Sequence, residues 1–250
     1  FLAVVLAQAT TNDTSNVIVE VGSNADLATT GAGNDITVSA RHNYTDANGF
    51  RTIENGRGVT ASAQNVSVSL GGVVNNATVQ ANANAEVSNV VEAAATLSAA
   101  NGSVTIVARN ANTAKASLRS ASFSAISIGT GSATPLATGR TTTSLFGNIG
   151  EAGVAGATAL TVRSEALTTA DSSLNSATGG LVLSVSTGSA NATSNPVLAL
   201  NFGSNTSRML VTGDITVAAV QTTDADSKAQ GGSGGLINTD NFDSSANATP

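Results

Sequence analysis

The stretch DITVSAR, residues 35–41, decides the fold because it returns three times, as SVTIVAR at 103–109, ALTVRSE at 159–165 and DITVAAV at 214–220. Their central threonines, Thr37, Thr105, Thr161 and Thr216, stand 68, 56 and 55 residues apart. Repetition at a fixed period marks a tandem array, in which one structural unit is used again and again. The longer first interval points to an inserted loop over residues 41–58.

Working outward, each motif is followed by a second apolar strand: VSVSLGG from Val66, FSAISIG from Phe123, LVLSVSTG from Leu181 and GGLIN from Gly234. Small-residue turns close on Pro135, Pro196 and Pro250, the only prolines of the chain. A third strand follows the two internal turns, with Phe146 and Phe202 placed 56 residues apart. The chain thus reads as one continuous array over residues 1–250, in approximate modules 1–76, 77–135, 136–196 and 197–250.

Alternation gives the facing of the side chains. In Ile36-Thr37-Val38 and its counterparts the aliphatic residues point one way and the threonine the other. The same reading turns Val66, Val68 and Leu70 inward, opposite Ser67 and Ser69. Gly or Asn interrupts most stretches long enough for a helix. The Ala-rich run Ala81–Ala100 is the exception, and its alignment with strands elsewhere assigns it to β structure.

Composition narrows the class. There is no Cys or Trp, aromatics are 3% and charged residues 10%, against about 25% charged in an ordinary globular domain. Short side chains suit a thin stacked structure in which successive layers bury Val, Ile, Leu and Ala against one another. The sequence therefore predicts an all-β protein, a β-solenoid of modules of about 55 residues. At about 20 residues per coil it would have two or three coils per module, a rod of roughly 60 Å, and no motif threonine on every coil. An array of antiparallel β-sandwich modules is the alternative, although about three strands per module is few for that fold.

These modules, with their DITVxA strand, Gly-bounded apolar strand and SANAT-type turn, resemble those of large bacterial secreted and surface repeat proteins, of the filamentous haemagglutinin-like adhesin and autotransporter-passenger kind. The resemblance implies export, extracellular or cell-surface display, and a role in adhesion or biofilm matrix building. It carries no catalytic residues onto this chain. Expected partners are the chain itself, as a homopolymer or longer repeat chain, and surface glycans or other cells.

The start of the chain has several readings. VVLAQATTNDTSNVIVE resembles the stretch from Val73, and FLAVVL parallels VLAL after Pro196, so joining Pro250 to Phe1 would regenerate the array. The run ending Ala7-Gln8-Ala9 also resembles the end of a secretory signal. Alternatively Phe1, Leu2, Val4, Val5 and Leu6 form an assembly strand that completes a neighbouring subunit, as in pilus-like fibres.

A formal charge of −6 argues against nucleic acid, which calls for a basic stripe. No apolar run is long enough for a membrane span. The best local site candidate is the inserted loop, where His42, the only histidine, lies with Tyr44, Asp46, Arg51, Glu54 and Arg57. One histidine without a nucleophile or metal set defines no mechanism, so the expectation is a non-enzymatic protein with, at most, a ligand-binding loop. Asp224, Asp226, Asp240 and Asp243 offer oxygens for calcium, without the spacing of a recognised calcium loop. Sequons for glycosylation stand at Asn12, Asn43, Asn65, Asn76, Asn101, Asn191, Asn205 and Asn247.

Overall fold

A computed structural model describes residues 1–31, 33–153 and 156–250, and over these the chain is all-β. In chain order come β1 (Leu2–Asp13), β2 (Asn16–Val21), β3 (Asp26–Thr29) and β4 (Ile36–His42). The insertion follows as a small hairpin, β5 (Tyr44–Thr45) and β6 (Gly49–Phe50), with a 3-10 turn at Ile53–Asn55, before β7 (Val59–Val68) resumes. Next are β8 (Gly72–Ala83), β9 (Glu86–Val91), the long β10 (Thr96–Ala137), β11 (Arg140–Leu145), β12 (Asn148–Ile149) and the long β13 (Ala157–Ser194). The last are β14 (Val197–Phe202), β15 (Ile215–Gly234) and β16 (Ile237–Ala248). The Ala81–Ala100 run is β structure, as expected, divided among the end of β8, β9 and the start of β10 with short breaks between them.

Among the described strands all pairings are parallel except β5 with β6. This is not the antiparallel sandwich alternative. Each strand pairs with its counterpart one module away: Val104 lies opposite Leu160, Leu160 opposite Ile215, and Ile36 opposite Val104. The partner of a strand is therefore a whole module distant in sequence, and the expected coil of about 20 residues does not form. With one layer per module, the column β1, β8, β10, β13, β16 is five strands deep, roughly 20 Å rather than 60 Å. For the same reason the motif threonines do meet: Thr37, Thr105, Thr161 and Thr216 stand in one row.

Two expected alignments shift. The register between β10 and β13 slips at Ser124/Ile126, so Phe202 comes opposite Leu145 and not Phe146. At the start of the chain β1 pairs with β8, Leu2 opposite Gly72, the column that also holds Leu183 and Ile237. Val197 lies instead beside Arg140. Joining Pro250 to Phe1 would thus set two strands of one column in succession and would not regenerate the order.

Between the layers lies a thin core. The first part of each long strand supplies Ile36, Val38, Val104, Ile106, Leu160 and Val162, which pack on Val91, Leu97, Leu145 and Ile149 from the opposite wall. The second part supplies Val59, Ala61, Ala114, Ala116, Leu118, Ala170 and Leu174, facing Val79, Ala81, Ala133 and Ala190. Alanine dominates here because the two walls approach closely, and the leucines fit only where glycine opposes them. Ile215 and Val217 are half exposed because β15 is an outermost layer.

One expected face is inverted. Val66, Val68 and Leu70 point to solvent, while Asn65 and Ser67 are buried. The cause is parity: Val59 and Ala61 face inward in the same continuous strand, so every second residue after them must do so too. In the next layers Ala116 and Leu118 turn Ser120 and Ser122 inward and Phe123 outward. Several of the buried hydroxyls satisfy one another: Ser120 Oγ donates to Ser176 Oγ at 3.0 Å, Thr178 Oγ1 and Ser184 Oγ lie 2.8 Å apart, and Ser122 Oγ and Ser127 Oγ 2.6 Å, whereas Ser67 Oγ has no partner among the described residues.

Candidate functional site

The insertion leaves the stack between two in-register anchors, His42 opposite Asn110 and Val59 opposite Ala114. In the bare ladder three residues join Asn110 to Ala114; here sixteen residues join His42 to Val59. The excess folds back as the β5–β6 hairpin. Tyr44 and Phe50 meet edge-to-face across it, ring centres 5.3 Å apart, a contact favoured by the opposed charge of ring face and ring edge.

Tyr44 is also held by two guanidinium groups. Arg109 lies 4.5 Å and Arg41 5.7 Å from its ring centre, within the range of a cation–π contact. Arg41 Nη1 donates to Asp46 Oδ2 at 2.6 Å and its Nε to Ser39 Oγ at 2.6 Å. Arg109 Nε donates to Glu165 Oε2 at 2.6 Å, and Arg163 Nη2 reaches Glu165 Oε1 at 3.0 Å. Five ionic side chains from three modules thus form one chain of contacts, Asp46, Arg41, Arg109, Glu165 and Arg163, with the Tyr44 ring between the two central arginines.

His42 belongs to a different neighbourhood. Its Nδ1 lies 3.0 Å from Asn110 Oδ1, and its Nε2 3.3 Å from Asp13 Oδ2. Burial raises the Asp13 carboxyl, but the hydroxyl and backbone N–H of Ser15, together with His42, outweigh it and hold the group below the ordinary carboxylate range. An imidazole bound on both nitrogens is a bracket between β1 and β10.

The remaining loop residues part company again. Arg51 Nη2 donates to Asn55 O at 3.0 Å. Arg57 contributes its backbone carbonyl, which accepts from Thr113 Oγ1 at 3.3 Å. Glu54 lines an open acidic hollow with Thr52, Thr169, Asp171, Asp224 and Asp226. Burial raises the Asp171 carboxyl; Lys115 opposes this, and Asp226, Asp224 and Glu54 add to it. The six predicted loop residues therefore do not converge on one site.

The four aspartates named for calcium are also divided. Asp224 and Asp226 stand beside Asp171 on β15, whereas Asp240 lies on β16 and accepts from the Ser233 N–H at 3.1 Å. Asp243 lies opposite Ser189. Among the described residues no group of three or more His, Cys, Asp or Glu side chains is placed to hold a metal ion.

Leu2, Val4, Val5 and Leu6 run along β8 as its parallel neighbour, and the carbonyl of Phe1, just before them, accepts from the Gly72 N–H. They are already paired on one edge, with Phe1, Leu2, Val4 and Leu6 exposed on this outermost strand. Of the sequons, Asn12, Asn76, Asn101, Asn191, Asn205 and Asn247 are exposed. Asn65 is buried and its amide donates to Asn75 Oδ1, which withdraws it from modification. Asn43 is half-buried, its amide on Ala111 O at 3.2 Å.

Residue-by-residue reading of the loop misses Arg109, Asn110, Arg163, Glu165, Asp171 and Asp13. The module offset is the signal that finds most of them, since Arg109 is the in-register partner of both Arg41 and Glu165. Comparison with known protein families, with characterised proteins and with solved structures finds no match to this chain.

Proposed function

We propose that the chain is a β-solenoid with one module per turn, acting outside the cell as a non-enzymatic shaft, stalk or fibre element of a bacterial surface or secreted protein. The observation that carries this reading is the parallel, in-register pairing of each module with the next, Val104 on Leu160 on Ile215. In such a stack the backbone hydrogen bonds run along the axis, and each added module lengthens it by about 4.8 Å. Length and stiffness then follow from module number, and no special residue is required. The Ser, Thr and Asn side chains of the outer face keep such a rod hydrated. No helix among the described residues is long and apolar enough to cross a membrane.

Electron microscopy and fibre diffraction of the native material test the proposal. Rods with a meridional reflection near 4.8 Å are expected; discrete globular bodies without that reflection would remove it.

A second reading, attachment to a surface glycan through the insertion, has one observation in its favour. The hairpin sets Tyr44 and Phe50 beside Arg41 and Arg109 on the outside of the stack, and aromatic and guanidinium groups together suit a polar ring with an apolar face. A Tyr44→Ala, Phe50→Ala chain that loses cell attachment while keeping its strand content would support it. Unchanged attachment would count against it.

A further inference from the structure

The residues that parity turns outward form a continuous apolar edge. Val68, Leu70, Phe123, Leu181 and Leu236, one or two from each layer, border an open groove of about 600 Å³ that Gly179, Gly180, Gly234 and Gly235 also line. Val66 extends the stripe along β7. No carboxylate or ammonium group lines the groove.

We propose that this edge is a two-fold lateral interface between copies of this chain. Area is the first reason. Val66, Val68, Leu70, Phe123, Leu181 and Leu236 are 62%, 77%, 102%, 53%, 78% and 85% exposed. At roughly 150–200 Å² for each full side chain they present roughly 800 Å², the share of one partner in a standard protein interface.

Charge is the second reason. The chain carries −6 overall, so like-charge repulsion opposes its self-association, and along the stripe two copies can meet without opposing carboxylates. Shape is the third. Leu70, Phe123, Leu181 and Leu236 stand one layer apart along the groove, and a second copy has the same layer spacing. Side chains of each stripe can therefore seat between those of the other, as a self-complementary two-fold contact requires. The interface forms whether or not the chain serves as a shaft.

Sedimentation of the whole chain over a wide concentration range tests this, with far-UV circular dichroism as the folding control. The wild type is expected to dimerise. A Leu70→Asp, Leu181→Asp chain is expected to keep its strand signal, since both residues are exposed, and to dimerise at least tenfold more weakly. The chain has no cysteine, so Leu181→Cys supplies a single thiol near the interface. It should form a disulfide-linked dimer on oxidation, where the exposed Thr206→Cys should not. A wild type that stays monomeric, or a dimer indifferent to the aspartates, overturns the proposal. So does a monomer that floats with phosphatidylcholine vesicles, which would assign the edge to lipid.

Discussion

Leu174 lies over Gly131: a Cβ built on that glycine would stand 3.1 Å from Leu174 Cδ1 and 2.9 Å from Leu118 Cδ2. Two buried leucines from successive layers thus depend on one missing side chain in the opposite wall. Gly131→Val is expected to force them from their rotamers and destabilise the fold by about 1–3 kcal/mol. Gly232→Ala, where a Cβ meets nothing within 4 Å, is expected to be neutral or slightly stabilising. Urea denaturation of the two variants checks this; equal midpoints would show that the walls relax around the added bulk.

Asn89 is fully buried in β9, and its amide nitrogen donates to Val38 O at 2.8 Å and Val107 O at 2.9 Å. It pins two adjacent layers from the opposite wall. Asn89→Ala removes both bonds and opens a small void, for an expected loss of about 1–3 kcal/mol. Asn89→Leu should not recover it, because leucine fills the space without donating. Denaturant midpoints measure both; recovery by leucine would show that volume, and not hydrogen bonding, is what Asn89 supplies.

The strand class and the inward facing of Ile36, Val38, Val104, Ile106, Leu160 and Val162 were legible in the sequence, because local alternation reports burial directly. At Val66 local alternation indicates the wrong face, because a short segment is satisfied by either parity. Extending it back to Val59 and Ala61 gives the observed facing. The coil length was not legible, since any strand–turn–strand unit can pair with itself or with its copy, and local pattern is silent on which. The site suffered similarly: Tyr44, Arg41 and Asp46 are near in sequence, but Arg109 and Glu165 join them only through the module-long offset.

The Asp171 carboxyl is raised chiefly by burial, with Lys115 opposing and Asp226, Asp224 and Glu54 adding to the rise. A group whose pKa is higher in the folded state stabilises the fold while protonated, and that stability is lost as pH climbs through the folded value. Asp171→Asn is therefore expected to unfold at a higher temperature than wild type at pH 7. The two should converge below about pH 3, where aspartate is protonated in both states. Melting curves across this range decide it; a variant less stable at pH 7 would mean that attraction to Lys115 outweighs burial.

Asp13 behaves in the opposite sense. Burial works against its charge, but the Ser15 hydroxyl at 2.6 Å, the Ser15 N–H at 3.0 Å and His42 at 3.3 Å hold it ionised, so its pKa is lowered. A lowered carboxyl adds stability above its unfolded value and loses it as pH falls through the folded one. Asp13→Asn should therefore melt below wild type at pH 7, and the gap should close as pH drops below about 4 toward the folded value. Because Asp13 ends β1 while His42 ends β4, the loss is expected first at this end of the stack. Hydrogen exchange at pH 7 should show faster exchange in β1 of the variant, with β13 unchanged; uniform acceleration across both strands would show that the pair stabilises the whole fold and not its outermost layer.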